Sequence, residues 1–135
     1  MADFPDKVRL VFKDFPLGFH QGALPAAEAA RCAGEHGRYW EYHDLLYVAQ
    51  PAFSKTNLLD YAARLGLPAE PFAACLESNR HRDAVLADFA EGRRAGVQGT
   101  PTFFVNGRRL AGAQLTAFRK AVNDALADGA EKKQP

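Results

Sequence analysis

Residues 96–107, Gly-Val-Gln-Gly-Thr-Pro-Thr-Phe-Phe-Val-Asn-Gly, leave the backbone few choices. Gly96 follows a long helical pattern and suits the left-handed conformation that closes a helix. Gly99-Thr100-Pro101 reads as a turn, because proline and the residue before it both resist helix. Residues 102–105 are β-branched or aromatic and read as a short buried strand. Asn106-Gly107 is a strong hairpin signal, since both turn positions need positive φ, and residues 108–111 then return as the second strand.

The rest of the chain supplies helices. Leu24-Pro25 opens one that runs through the alanine-rich residues 26–33, with proline at its first position. Gly34 and Gly37 break the pattern before a second helix over residues 38–49, with bulk from Trp40, Leu45, Leu46 and Tyr47. Ser54 caps a third helix, whose Leu58, Leu59, Ala62 and Leu65 form one apolar stripe closed by Gly66. Leu67-Pro68 leads to a fourth, with Phe72, Cys75 and Leu76 on one face. Residues 79–95 read as one long helix, with Val85, Leu86 and Phe89 inward and its arginines outward. Residues 114–127 form the last helix, with Leu115, Phe118, Val122 and Leu126 as its stripe. Residues 128–135 are charged and apolar-poor and read as a disordered tail. Near the start, residues 8–13 alternate, with Val8, Leu10 and Phe12 on one side, and predict a strand with one dry face.

This order, and the wording "GVQGTPTFFVNGRRLAGAQ", resembles the DsbA-like thioredoxin-fold family of thiol-disulfide oxidoreductases. "VRLVFKDFPL", "CAGEHGRYWEYHDLLY" and "YAARLGLPAEPFAACLES" resemble the same family. The resemblance implies an α/β, thioredoxin-like fold with a helical insertion over about residues 24–95, in one incomplete domain over residues 1–127. It also implies that Pro101 is cis, and that Gly99, Thr100 and Pro101 form the ledge that holds an extended peptide or protein thiol substrate.

The family's first strand and first helix, with its redox-active Cys-x-x-C, have no counterpart here. The likeness starts at about residues 2–5, which look like the end of that helix, and the chain is expected to be truncated at its N-terminus. The two cysteines, Cys32 and Cys75, lie 43 residues apart. Disulfide exchange needs an attacking thiolate and a nearby resolving thiol. Cys32 falls about two turns inside its helix, where the dipole offers little, and Cys75 sits among apolar neighbours. Neither reads as a nucleophile, and no residue is assigned as catalytic. Some family members carry a cysteine pair at matching positions as a structural disulfide, which the resemblance implies in an oxidising compartment; in a reducing one the pair would be two buried thiols.

Three functional readings follow. The chain is a family member lacking its redox motif and inactive alone, an oxidoreductase whose Cys-x-x-C is missing from the recorded chain, or a non-catalytic binding and assembly module. Without the family's central strand, three outcomes are open for the strands at residues 8–13 and 102–105: pairing directly with each other, exchange in a homo-oligomer, or a strand-donating polypeptide; association is the expectation, because both strands are apolar.

A net charge of +1 favours neither nucleic acid nor an anionic membrane. Residues 1–6 lack the pattern of a signal peptide, so the chain as written is expected in the cytoplasm, although the family is usually extracytoplasmic. His36, His43 and His81 lack a tight ligand spacing, so neither metal nor cofactor is expected; His20 and His43 read as loop or packing residues. Asp88 and Glu91 read as surface carboxylates, and Arg93-Arg94 as a solvated helix end.

Overall fold

The computed structural model describes residue 4 and residues 6–131. The chain divides into two compact units, Met1–Phe12 with Ala95–Pro135, and Lys13–Arg94. One domain is expected from the sequence over residues 1–127; the helical unit begins eleven residues before the insertion expected at about residue 24.

The helical unit contains α1 (Ala23–Gly34), α2 (Tyr39–Ala49), α3 (Lys55–Arg64), α4 (Ala69–Ser78) and α5 (Arg82–Arg94). α1 is its centre. Its small residues Ala26, Ala29, Ala30 and Ala33 are buried, and their short side chains let other helices approach closely. Tyr42, Leu58, Phe72 and Val85 fill the space around it. Tyr42 is fully buried, with its hydroxyl donating to Leu58 O at 2.7 Å and its ring 5.5 Å from that of Phe72. Burial thus costs the phenol no unsatisfied group. Trp40 and Tyr47, expected to supply bulk, are exposed, and Tyr42 takes that place.

Chain breaks fall where the backbone requires them. Ser54 Oγ accepts from Asn57 N at 3.2 Å and caps α3, and Gly66 ends that helix region at φ +69°. The long helix expected over residues 79–95 is shorter. Asn79 adopts φ +51° and caps α4, so α5 starts only at Arg82. Leu86, placed inward from the sequence, is exposed, while Phe89 packs on Phe15 at 4.6 Å between ring centroids.

In the other unit β1 (Thr102–Val105) pairs antiparallel with β2 (Arg108–Ala111), in the register Thr102↔Ala111 to Val105↔Arg108. Asn106 and Gly107 make the turn at φ +46° and +86°. α6 (Leu115–Glu131) packs on β1, with the Phe103 and Phe118 ring centroids 5.1 Å apart and Ala121 and Val122 buried. Leu115, expected in the stripe, is exposed.

Three expectations are corrected. Residues 8–13 form no strand: the β1–β2 ladder is the only one among the described residues, and an alternating segment becomes a strand only by pairing. Leu10 and Phe12, expected on the dry side, are 47% and 36% exposed, so no dry face forms. β1 is half-buried, with Phe104 exposed, because its sheet has two strands. Residues 128–131, expected in a disordered tail, belong to α6, which continues through Glu131; residues 132–135 lie outside the described residues, as does most of the segment 1–5 on which the expected truncation was placed.

Candidate functional site

After α5 the chain turns at Gly96, φ +79°, whose carbonyl accepts from Arg109 Nη1. Val97 is buried, whereas Thr100 and Pro101 are exposed and Gly99 half-buried. The Thr100–Pro101 peptide is cis. Thr102 Oγ1 donates to Gly99 O at 2.7 Å, and Gly112 N donates to Pro101 O at 2.9 Å. Both flanks of the Gly99-Thr100-Pro101 turn are thereby fixed to the hairpin. A Cβ built on Gly99 would meet nothing within 4 Å, so this backbone is open to an approaching chain. The edge of β1 away from β2 carries no strand among the described residues. Such an edge offers main-chain donors and acceptors to an extended segment.

Cys32 and Cys75 are joined in a disulfide that ties α1 to α4, with their Cα atoms 5.9 Å apart. Each is 1% exposed. Around the bond stand three polar residues that sequence spacing did not assemble. Glu35 Oε1 lies 3.8 Å from Cys75 Sγ and 2.8 Å from His81 Nε2. Arg80 Nε donates to the same oxygen at 2.8 Å, and Arg80 Nη2 pairs with Glu35 Oε2. Hydrogen bonding from Arg80 chiefly, and from His81, holds the Glu35 carboxyl at about 2, below its ordinary 4.5; desolvation opposes the shift. The break at Asn79 places Arg80 and His81 on the turn between α4 and α5, and so beside the end of α1. A continuous helix, as expected from the sequence, does not signal this placement.

A second polar cluster was missed outright. Asp88 is not a surface carboxylate as expected, whereas Glu91, 59% exposed, is one. Asp88 is 12% exposed; its Oδ2 accepts from Arg31 Nη2 at 2.6 Å and from Asp14 N at 3.3 Å. Arg31 Nε also donates to the buried Asp14 at 2.7 Å. Lys13 Nζ closes the cluster onto Asp88 at 2.9 Å and Glu91 at 3.0 Å. Burial pushes the Asp14 carboxyl up, and its contacts with Arg31 pull it back. This cluster joins the segment before α1 to α1 and α5, and is structural in character.

Of the other histidines, His43 packs among the rings of Tyr39, Trp40 and Tyr47, and His20 lies against Phe19. No described helix is long and apolar enough to cross a membrane.

The family described as Thioredoxin matches residues 3–124. The crystal structure of a thioredoxin-like oxidoreductase from Silicibacter pomeroyi DSS-3 superposes with a TM-score of 0.80 at 27% identity, covering 92% of this chain and 72% of that one. A putative protein-disulfide oxidoreductase of Rickettsia prowazekii is 30% identical over 133 residues, covering 94% of this chain and 48% of the relative. An Na(+)/H(+) antiporter NhaA 1 of Salinispora arenicola is 40% identical over 129 residues, covering 94% of this chain and 20% of the antiporter. The chain thus spans about one fifth of the antiporter and about half of the oxidoreductase.

Proposed function

Because this chain belongs to the thioredoxin family, we propose that its residues supply the substrate-holding part of a thiol-disulfide exchange site and not the reacting sulfurs. The observation that carries this reading is the burial of Cys32 and Cys75 in one disulfide, each 1% exposed. Exchange needs an attacking thiolate, and in the oxidised chain these bonded, buried sulfurs supply none. The 135 residues contain no Cys-x-x-C. Gly99, Thr100 and Pro101, with the open edge of β1, are suited to hold an extended cysteine-containing peptide by main-chain hydrogen bonds. The same edge is where a second copy, or a strand from another polypeptide, would add.

On this reading the chain alone turns over no disulfide, in insulin reduction or in oxidative refolding of a reduced protein, yet binds an extended cysteine-containing peptide. Catalysis that disappears on Cys32→Ala would overturn the assignment. Light scattering after size exclusion tests the association: an oligomer at micromolar concentration supports strand addition between copies, and a monomer at every concentration contradicts it.

A second reading has one observation in its favour. The chain covers about half of a relative named as a putative protein-disulfide oxidoreductase. These residues would then be the substrate-holding segment of a longer enzyme whose Cys-x-x-C faces Pro101. Activity of a longer polypeptide carrying that motif, lost on substitution of its cysteines and weakened by substitution at Gly99, would favour it.

A further inference from the structure

The ligand-capable atoms of Cys32, Cys75 and His81 all lie within 4.8 Å of one another. Glu35 Oε1 lies beside this group, 3.8 Å from Cys75 Sγ and 2.8 Å from His81 Nε2. We infer that, when the Cys32–Cys75 bond is reduced, these four side chains form a closed tetrahedral site for a zinc ion.

Donor chemistry supports the assignment. Two thiolates, an imidazole nitrogen and a carboxylate oxygen are all ordinary zinc ligands, with bonds of about 2.3 Å to sulfur and about 2.0–2.2 Å to nitrogen and oxygen. Those lengths imply ligand–ligand separations of about 3.3–3.8 Å in a tetrahedron. Of the present separations, the 3.8 Å from Glu35 Oε1 to Cys75 Sγ falls in that range and the 2.8 Å from Glu35 Oε1 to His81 Nε2 falls below it, while the two sulfurs are bonded, so loading the ion requires these side chains to spread. The Cα atoms of the two cysteines are 5.9 Å apart on helices that the Tyr42, Leu58 and Phe72 packing holds in place.

Charge also balances. Two thiolates and a carboxylate around a divalent cation leave one negative charge, and Arg80 already pairs with Glu35 to offset it. Arg80 would act as the outer partner that orients the carboxylate. The cysteine side of the group is buried, whereas His81 and Glu35 are partly open to solvent, giving an ion a route of entry.

The redox step is a two-electron reduction by a phosphine: the sulfur–sulfur bond breaks, phosphorus takes the oxygen of one water and becomes a phosphine oxide, and the two protons of that water go to the two sulfurs. Zinc binding then displaces the two thiol protons to solvent. The metal would replace the covalent link between α1 and α4, so the helical unit would stay cross-linked in either redox condition.

The test uses the whole chain reduced by a phosphine under argon and titrated with cobalt(II), then zinc(II). The expected result is one equivalent of cobalt with a thiolate-to-metal charge-transfer band, displaced by zinc. The oxidised chain should give no band. His81→Gln should weaken zinc by more than the roughly tenfold to hundredfold that follows loss of an outer partner. Should reduction unfold the chain, recovery of its circular dichroism on adding zinc supports the site. Failure of the reduced chain to bind stoichiometrically overturns it, as does a His81→Gln chain that folds when oxidised and binds zinc unchanged when reduced.

Discussion

Arg31 donates to Asp88 at 2.6 Å, so a single guanidinium spans from α1 to α5 while also holding the buried Asp14. Removing that cation leaves the buried Asp14 carboxylate without its ion pair, facing an Asp88 that keeps Lys13 as its cation. Arg31→Met is expected to destabilise the chain by about 3–5 kcal/mol, the usual cost of breaking a buried ion pair from one side. The triple change Arg31→Met, Asp14→Asn, Asp88→Asn should recover part of that loss. Urea midpoints of the two variants check both statements.

The Cys32–Cys75 link closes a loop of 43 residues. In the chain-entropy account such a loop contributes about 4 kcal/mol by restricting the unfolded ensemble. Replacing both cysteines by alanine should lower stability by about that amount. Denaturation of the oxidised parent against the double variant measures it, in metal-free buffer so that zinc does not intervene.

Glu35 gives the clearest pH dependence. Its carboxyl is held at about 2 in the folded chain, chiefly by Arg80, against an ordinary 4.5. The unfolded state therefore binds the proton more readily, and the contribution is fully present above about 4.5. It is lost as pH falls from there toward about 2. Glu35→Gln should flatten this part of the stability profile without changing its neutral-to-alkaline side, as read by thermal midpoints across pH.

Two glycines in one loop should respond oppositely. Gly96 sits at φ +79°, and an added Cβ would approach Arg109 Nη1 to 3.2 Å. Gly96→Ala should cost about 1–2 kcal/mol from the left-handed backbone alone. At Gly99 a Cβ meets nothing within 4 Å. Gly99→Ala should leave the thermal midpoint within about 1 °C of the parent, a near-neutral change, yet weaken capture of an extended cysteine-containing peptide, because the methyl group stands where that peptide approaches.

Which of these features the sequence discloses depends on whether their cause is local. The hairpin is legible because Asn106-Gly107 dictates its own turn, and most helix ends because Ser54, Gly66 and Gly96 act on their immediate backbone. Alternation in residues 8–13 describes side chains and says nothing of a pairing neighbour, so the strand expected there does not form. Asn79 in the left-handed region looks like an ordinary helical residue in sequence, yet it ends α4 and carries His81 to the disulfide. The Arg31, Asp14 and Asp88 cluster joins residues up to 74 positions apart, and no periodicity encodes that. In the site itself, the cysteine pairing follows family resemblance, whereas its polar surroundings arise only from tertiary packing.

On the proposed function this chain holds a substrate and does not itself exchange disulfides. Insulin reduction, followed by turbidity with the purified 135-residue chain and a dithiol, tests it most directly. The account predicts a rate equal to that of the dithiol alone. A faster rate that falls to background on Cys32→Ala or Cys75→Ala would contradict it.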